Sequence, residues 1–282
     1  TYELTSAIGV GYDKLEDVDY AAAVQHMDYI FAMTYDFYGA WSNSPGHQTA
    51  LNCGKFMRPG QCDGTGTDAD GVPYKGPAYT TDNAIQILLA QGVPANKLVV
   101  GTAMYGRGWD GVMPSTLTDP TDPMTGTGTG ALTGTEAQGV WQDGVIDYKG
   151  IKTHMLGANK QGVNGYEYGY DELAEAPYVW NRSNGKLITF DDDRSVKAKG
   201  AYVRSLGLAG LFSWEIDADN GDILNAMHEG LATTVGNRTP VAKAGADVSV
   251  EGPAKVTLDA SASKDLDVTI ASYAWTQVSG PA

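Results

Sequence analysis

The strongest constraint in this chain is an alternation that runs through its first 231 residues. Short, almost unbroken apolar runs are each followed by a stretch with helical spacing. Leu4–Val10 and Tyr29–Asp36 read as strands, with helical spacing over Asp19–Met27 between them. Lys97–Tyr105 (KLVVGTAMY) and Ala209–Ile216 (AGLFSWEI) are continuous strands of the fully buried kind. Thr81–Gln91, Arg194–Leu206 and Asp222–Leu231 carry helical periodicity. In Thr81–Gln91, Ile85, Leu88 and Leu89 share a face, and Thr80, Thr81 or Asp82 is placed to cap the first turn. Strands apolar on both sides must be covered on both faces, and helical crossovers between parallel strands do this. The expectation is an α/β fold with four parallel strands.

Three segments interrupt the rhythm. A Gly/Asp/Thr/Pro-rich loop runs from Gly39 to Ala78. Between Tyr105 and Arg194 the texture changes to Gly/Thr-rich loops (TGTGTGALTGTEAQG) and Tyr/Trp-rich strands near Gly139–Tyr148 and Tyr178–Phe190. That span is too long for a loop, so an inserted α+β subdomain is expected at about 108–190. From Asn237–Pro240 onward, short alternating segments (VSV, KVTLDAS, IASYAWTQV) separated by Gly, Pro and Asp read as the start of a β-sandwich. The expected division is 1–235 for the α/β part and 236–282 for the sandwich part.

Charge narrows the partners. With 34 acidic against 19 basic residues the formal net charge is −15, which argues against binding a phosphate backbone. No polybasic run suits anionic lipid, and no run of about 18 apolar residues could cross a membrane. Sixteen Tyr and six Trp against five Phe favour surfaces that stack on a neutral ligand while hydrogen-bonding it. The two cysteines, Cys53 and Cys62, sit in the long loop, either as a disulfide of a secreted protein or as two free thiols. No second Cys pair or nearby His pair completes a zinc site, so no metal and no cofactor are expected. The start at Thr1, without Met or a leader segment, and the stop at Ala282 after a strand-like run read as an internal piece of a longer protein.

Chemistry-bearing residues cluster at the carboxyl ends of the parallel strands, where α/β barrels place their sites. Met33 and Tyr35 alternate onto one side, with Asp36 at the strand mouth. Tyr105 and Arg107 repeat the pattern, and Trp214 with Glu215 closes the last strand. Each has a bland reading: rim or core tyrosines, a Trp plug, an Arg107–Glu215 surface ion pair worth under about 1 kcal/mol. Together, carboxylates, phenols and indoles at one mouth are what sugar chemistry uses.

The segments YELTSAI, MTYDFYGAW, GHQTALN, KLVVGTAMYGRGW, EAPYVW, LITFDDDRSVKAKG and GLFSWEIDADNGDIL resemble, in order and spacing, the C-terminal half of the catalytic domain of bacterial family 18 chitinases. PVAKAGADVSVEGPAKVTLDASASKD with SYAWTQVSGP resembles the first part of a polycystic-kidney-disease (PKD) type β-sandwich; Asp265-Leu266-Asp267-Val268 replaces that family's usual Asp-Pro-Asp-Gly. The resemblance implies strands five to eight of a TIM barrel, a chitin-insertion subdomain, and a secreted, extracellular, monomeric enzyme. The implied reaction is hydrolysis of β-1,4 links between N-acetylglucosamine units in chitin, with retention. In that mechanism the 2-acetamido oxygen of the sugar attacks its own anomeric carbon. By motif, Tyr35 holds the acetamido group and Asp36 orients the distorted sugar. Met33, Tyr105, Arg107, Trp214 and Glu215 bind the reacting sugar, while Trp41 and Trp141 are platforms for flanking sugars. Gln142 stands where the family often has Glu. The family's Asp-x-x-Asp-x-Asp-x-Glu acid motif is absent from these 282 residues; Asp191-Asp192-Asp193 and Asp217-Ala218-Asp219 lack its glutamate. The acid is therefore expected upstream of Thr1, and the chain by itself is expected to be inactive and poorly soluble. A chitin-binding lectin and an endo-β-N-acetylglucosaminidase are the alternatives.

Overall fold

A computed structural model describes residues 2–55, 57–114, 122–232, 240–245, 247–250, 255–263 and 270–279. The chain divides into two compact units, Thr1–Thr233 and Thr234–Ala282.

The first unit is α/β. Its parallel sheet has the order β1 (Thr5–Gly9), β2 (Tyr29–Met33), β3 (Leu98–Ala103) and then the last strand of the unit, Gly210–Trp214. All three pairings are parallel, in a register that sets Gly9 beside Met33 and Ala103 beside Trp214. These are the four expected strands. The most apolar of them, β3, is buried along its whole length, whereas the outer two are partly exposed.

The expected strand Lys97–Tyr105 is corrected by the structure. It stops at Ala103, and after Met104 the chain enters a different sheet as β4 (Tyr105–Asp110). Tyr105 leaves the parallel sheet because its ladder partners are antiparallel: Asp147 lies opposite Tyr105, and Thr189 opposite Arg107. This second sheet contains β5 (Gly130–Ala131), β6 (Val145–Asp147), β7 (Glu167–Asp171), β8 (Ala176–Asn181) and β9 (Lys186–Thr189) around β4. The strand Gly210–Trp214 is then β10. The antiparallel sheet thus begins at Tyr105, before the expected boundary near 108.

Helices α1 (Tyr12–Leu15) and α2 (Tyr20–Ala23) are short, α3 spans Thr81–Ala90, α4 Tyr148–Ile151, α5 Asp193–Ser205 and α6 Asp222–Ala232. Of the three candidate caps, Thr80 caps α3: its side chain accepts the Asn83 N–H at 3.1 Å. Ile85 and Leu88 of α3 are fully buried against Ile30, Leu98 and Val100 of the parallel sheet. A separate core joins the two sheets: Met104, Ile146, Ile188 and Phe190 pack with Val196 of α5 and Ile223 of α6. Cys53 and Cys62 are joined as a disulfide, which resolves the open choice between bridge and free thiols.

Among the described residues of the second unit no strand element is present. The alternating residues Val248, Val250, Leu258 and Tyr273 stay exposed, and a strand pair without a buried face is marginal in water. The Asp265–Val268 turn lies outside the described residues.

Candidate active site

The carboxyl ends of β2 and β10 and the start of β4 border one open cleft of about 690 Å³. Met33, Tyr35 and Asp36 enter it from β2 and the turn beyond. Tyr105 and Arg107 come from β4, Trp141 from the loop before β6, and Trp214 and Glu215 from the exit of β10. Eight of the nine sequence-predicted site residues therefore meet. The ninth, Trp41, is exposed but is not part of the cleft lining; the Arg107 guanidinium stacks on its ring at 5.2 Å.

Asp36 organises the centre. Its backbone is left-handed, at φ 58°, a conformation that Asp tolerates better than most residues with a side chain. One carboxylate oxygen, Oδ1, accepts the Tyr105 hydroxyl at 2.6 Å and the Arg107 Nε–H at 2.8 Å. Arg107 thus pairs with Asp36, and the considered Arg107–Glu215 surface pair is replaced by this contact. Burial, then the Asp36 charge, pushes the Tyr105 phenol far above its ordinary value. For Tyr35 the same two causes act more weakly and raise the phenol to about 12. Both phenols are therefore protonated donors at neutral pH. Burial pulls the Arg107 guanidinium down, but its hydrogen bond and charge contact with Asp36 more than offset this, so it lies above its ordinary value.

Two supports escaped the sequence reading. Gln48, fully buried in the long loop, uses both ends of its amide. Its Oε1 accepts the Asp36 N–H at 3.0 Å and its Nε2 donates to the Tyr105 carbonyl at 2.9 Å, which fixes two site segments relative to each other. Deeper lies a buried ion pair, Lys199 Nζ to Asp191 Oδ2 at 2.7 Å. Burial pulls the Lys199 ammonium down against the opposing effect of Asp191. Asp191 Oδ2 also accepts the Ala103 N–H at 3.0 Å, and the Thr49 hydroxyl lies 3.1 Å from it and 3.0 Å from the Thr34 carbonyl. The residues just before Tyr35 and Tyr105 are thereby anchored to α5. Asp147 and Asp217 also line the cleft. A signal for Asp147 was present, since it ends a strand-like run as Asp36 does; nothing local marked Gln48. Among the described residues no group of three or more His, Cys, Asp or Glu could hold a metal ion.

Residues 1–219 match the family model for glycosyl hydrolases family 18, and residues 244–282 match a PKD domain model. Chitinase A of Pseudoalteromonas piscicida is 59% identical over 280 residues, which is 99% of this chain and 34% of that protein. Chitinase A1 of Niallia circulans is 33% identical over 243 residues, 85% of this chain and 31% of that protein. The solved structure of the Ostrinia furnacalis Group IV chitinase in complex with allosamidin superposes with a TM-score of 0.64 at 25% identity, covering 82% of this chain and 57% of that one. This chain thus spans about a third of the length of these curated relatives. With the family model matched across nearly all of the first unit, the chain belongs to the family 18 glycosyl hydrolases.

Proposed function

We propose that the protein to which this chain belongs hydrolyses β-1,4 links between N-acetylglucosamine units of chitin, with retention of configuration. The observation that carries the reading is the convergence of a protonated Tyr35 phenol, the Asp36–Arg107–Tyr105 cluster and the exposed Trp214 face on one open cleft. An indole face stacks on the apolar side of a pyranose, and the phenols and carboxylates address its polar groups. Tyr35 donates a hydrogen bond to the 2-acetamido oxygen and holds it toward the anomeric carbon. Asp36, kept in place by Tyr105 and Arg107, orients the acetamido N–H. Met33 and Glu215 border the reacting sugar, and Trp141 and Trp41 receive sugars on either side. The general acid lies in a part of the protein outside these 282 residues, and the four parallel strands serve as strands five to eight of the barrel that holds it. The antiparallel sheet is the insertion that deepens the cleft for a polymer. The protein acts as a secreted, extracellular monomer, in keeping with the Cys53–Cys62 bridge.

The test is hydrolysis of N-acetylglucosamine oligomers by the full-length protein, with the anomer of the first product read by NMR. The β-anomer is expected first. Tyr35→Phe should lower kcat by about 100- to 1000-fold, as for loss of an oxyanion-hole donor. Binding of oligomers without hydrolysis would make the protein a lectin, and release of N-glycans in place of chitin cleavage would make it an endo-β-N-acetylglucosaminidase.

A further inference from the structure

Trp141 presents two-thirds of its surface to solvent at the rim of the cleft. A large exposed ring of this kind ordinarily samples several rotamers, and ordering it on binding reduces affinity. Here its indole N–H donates to Asp147 Oδ2 at 3.0 Å. The same oxygen lies 3.3 Å from the Lys149 ammonium, and Lys149 also donates to the backbone carbonyl of Asp217 beyond the exit of β10. Asp147 is itself held rigidly. It is the last residue of β6, sits opposite Tyr105 in the ladder, and donates its own N–H to the Gly139 carbonyl at 2.9 Å. Although it stands at the N-cap of α4, its side chain makes no capping bond there. The carboxylate thus leaves the backbone amides of α4 uncapped and meets the Trp141 indole N–H and the Lys149 ammonium instead.

We propose that Asp147 and Lys149 are positioning residues that lock the Trp141 indole into the cleft wall, and so determine how tightly N-acetylglucosamine oligomers are gripped; the substrate in this statement rests on the function proposed above. Asp147 fixes the plane of the ring. Lys149 fixes Asp147 and ties the insertion to the segment that follows Trp214, so two walls of the cleft keep one spacing. A ring fixed before the substrate arrives strengthens binding without touching the reacting bond. Its loss is therefore read in KM, with kcat preserved.

The experiment uses the full-length protein. Asp147→Leu should raise KM for an N-acetylglucosamine hexamer about tenfold, the loss typical of one anchoring contact, with kcat within twofold. Asp147→Asn keeps an oxygen that can accept the indole N–H and should stay within about threefold of the parent. Lys149→Met should fall between the two. Trp141→Ala should cost as much as Asp147→Leu, and combining the two should cost nothing further. Additive losses, or a fall in kcat at unchanged KM, would overturn the proposal. A second readout is independent of substrate: with 5-fluorotryptophan incorporated, the 19F resonance assigned to Trp141 by Trp141→Phe should shift toward the solvent-exposed value and narrow in Asp147→Leu. An unchanged resonance would overturn the positioning role even if hexamer kinetics changed. A parent protein that neither binds nor cleaves the hexamer would remove the substrate reading, while the fluorine signal still decides whether Asp147 holds the ring.

Discussion

At the scale of single residues, the site depends on which groups keep their protons. An ordinary tyrosine ionises near 10, but burial and the Asp36 charge move Tyr35 up to about 12. The raised value means that Tyr35 remains a donor through pH 10 and loses that role only in stronger alkali. The alkaline limb of kcat/KM for the full-length protein should therefore be the same in the parent and in Tyr35→Phe up to about pH 10. A limb near neutral or mildly alkaline pH that disappears in Tyr35→Phe would show that the phenol titrates early and that its surroundings differ from those described. Asp36, Tyr105 and Arg107 were legible as a set because each carries a chemical side chain at or just beyond the end of an apolar run. Gln48 was not legible. Its role exists only where a loop meets two strands that are distant in sequence, and a glutamine in a Gly-rich loop carries no local mark of that meeting.

At the scale of elements, apolar continuity located β1, β2, β3 and β10, and helical spacing located α3, α5 and α6 to within a residue or two at their ends. The cap of α3 gives the cleanest test. Thr80 alone of the three candidates accepts the Asn83 N–H, and it is itself buried. Thr80→Ala should lower the stability of the full-length protein by about 1 kcal/mol, read as a shift in denaturant midpoint at unchanged slope, whereas Thr80→Ser, which keeps the accepting oxygen, should move it less. The turn from one sheet to the other after Ala103 was hidden because the apolar run continues across it through Ala103, Met104 and Tyr105 without a break. Nothing in those residues says that Tyr105 will pair with Asp147. β7 was also missed, since its run of Tyr and Gly gives no apolar stripe, and its pairing with β8 supplies what its own sequence does not.

At the scale of the whole molecule, the two ends of the parallel sheet differ from its centre. β3 is buried along its length, while β1 and β10 are partly exposed, and Leu4, Ile216 and Leu224 present apolar surface beside them. Open parallel edges with apolar neighbours pair with other chains. The 282 residues expressed by themselves are expected to aggregate and to show no cooperative unfolding transition by calorimetry. A soluble product with one sharp transition would mean that the sheet is self-sufficient. The crossing at Met104 has a consequence for how this molecule can vary. Strands count in twos, and a single residue joins two sheets whose faces build one cleft. Tyr105 and Arg107 alternate with Gly106 and Gly108, where even an added methyl would press on Ile188 and Leu132 at 2.6 and 2.8 Å. The length of that junction is therefore a parity: one residue more would turn the glycines toward the cleft and drive a phenol and a guanidinium into packed aliphatic side chains, so this one-residue joint cannot grow.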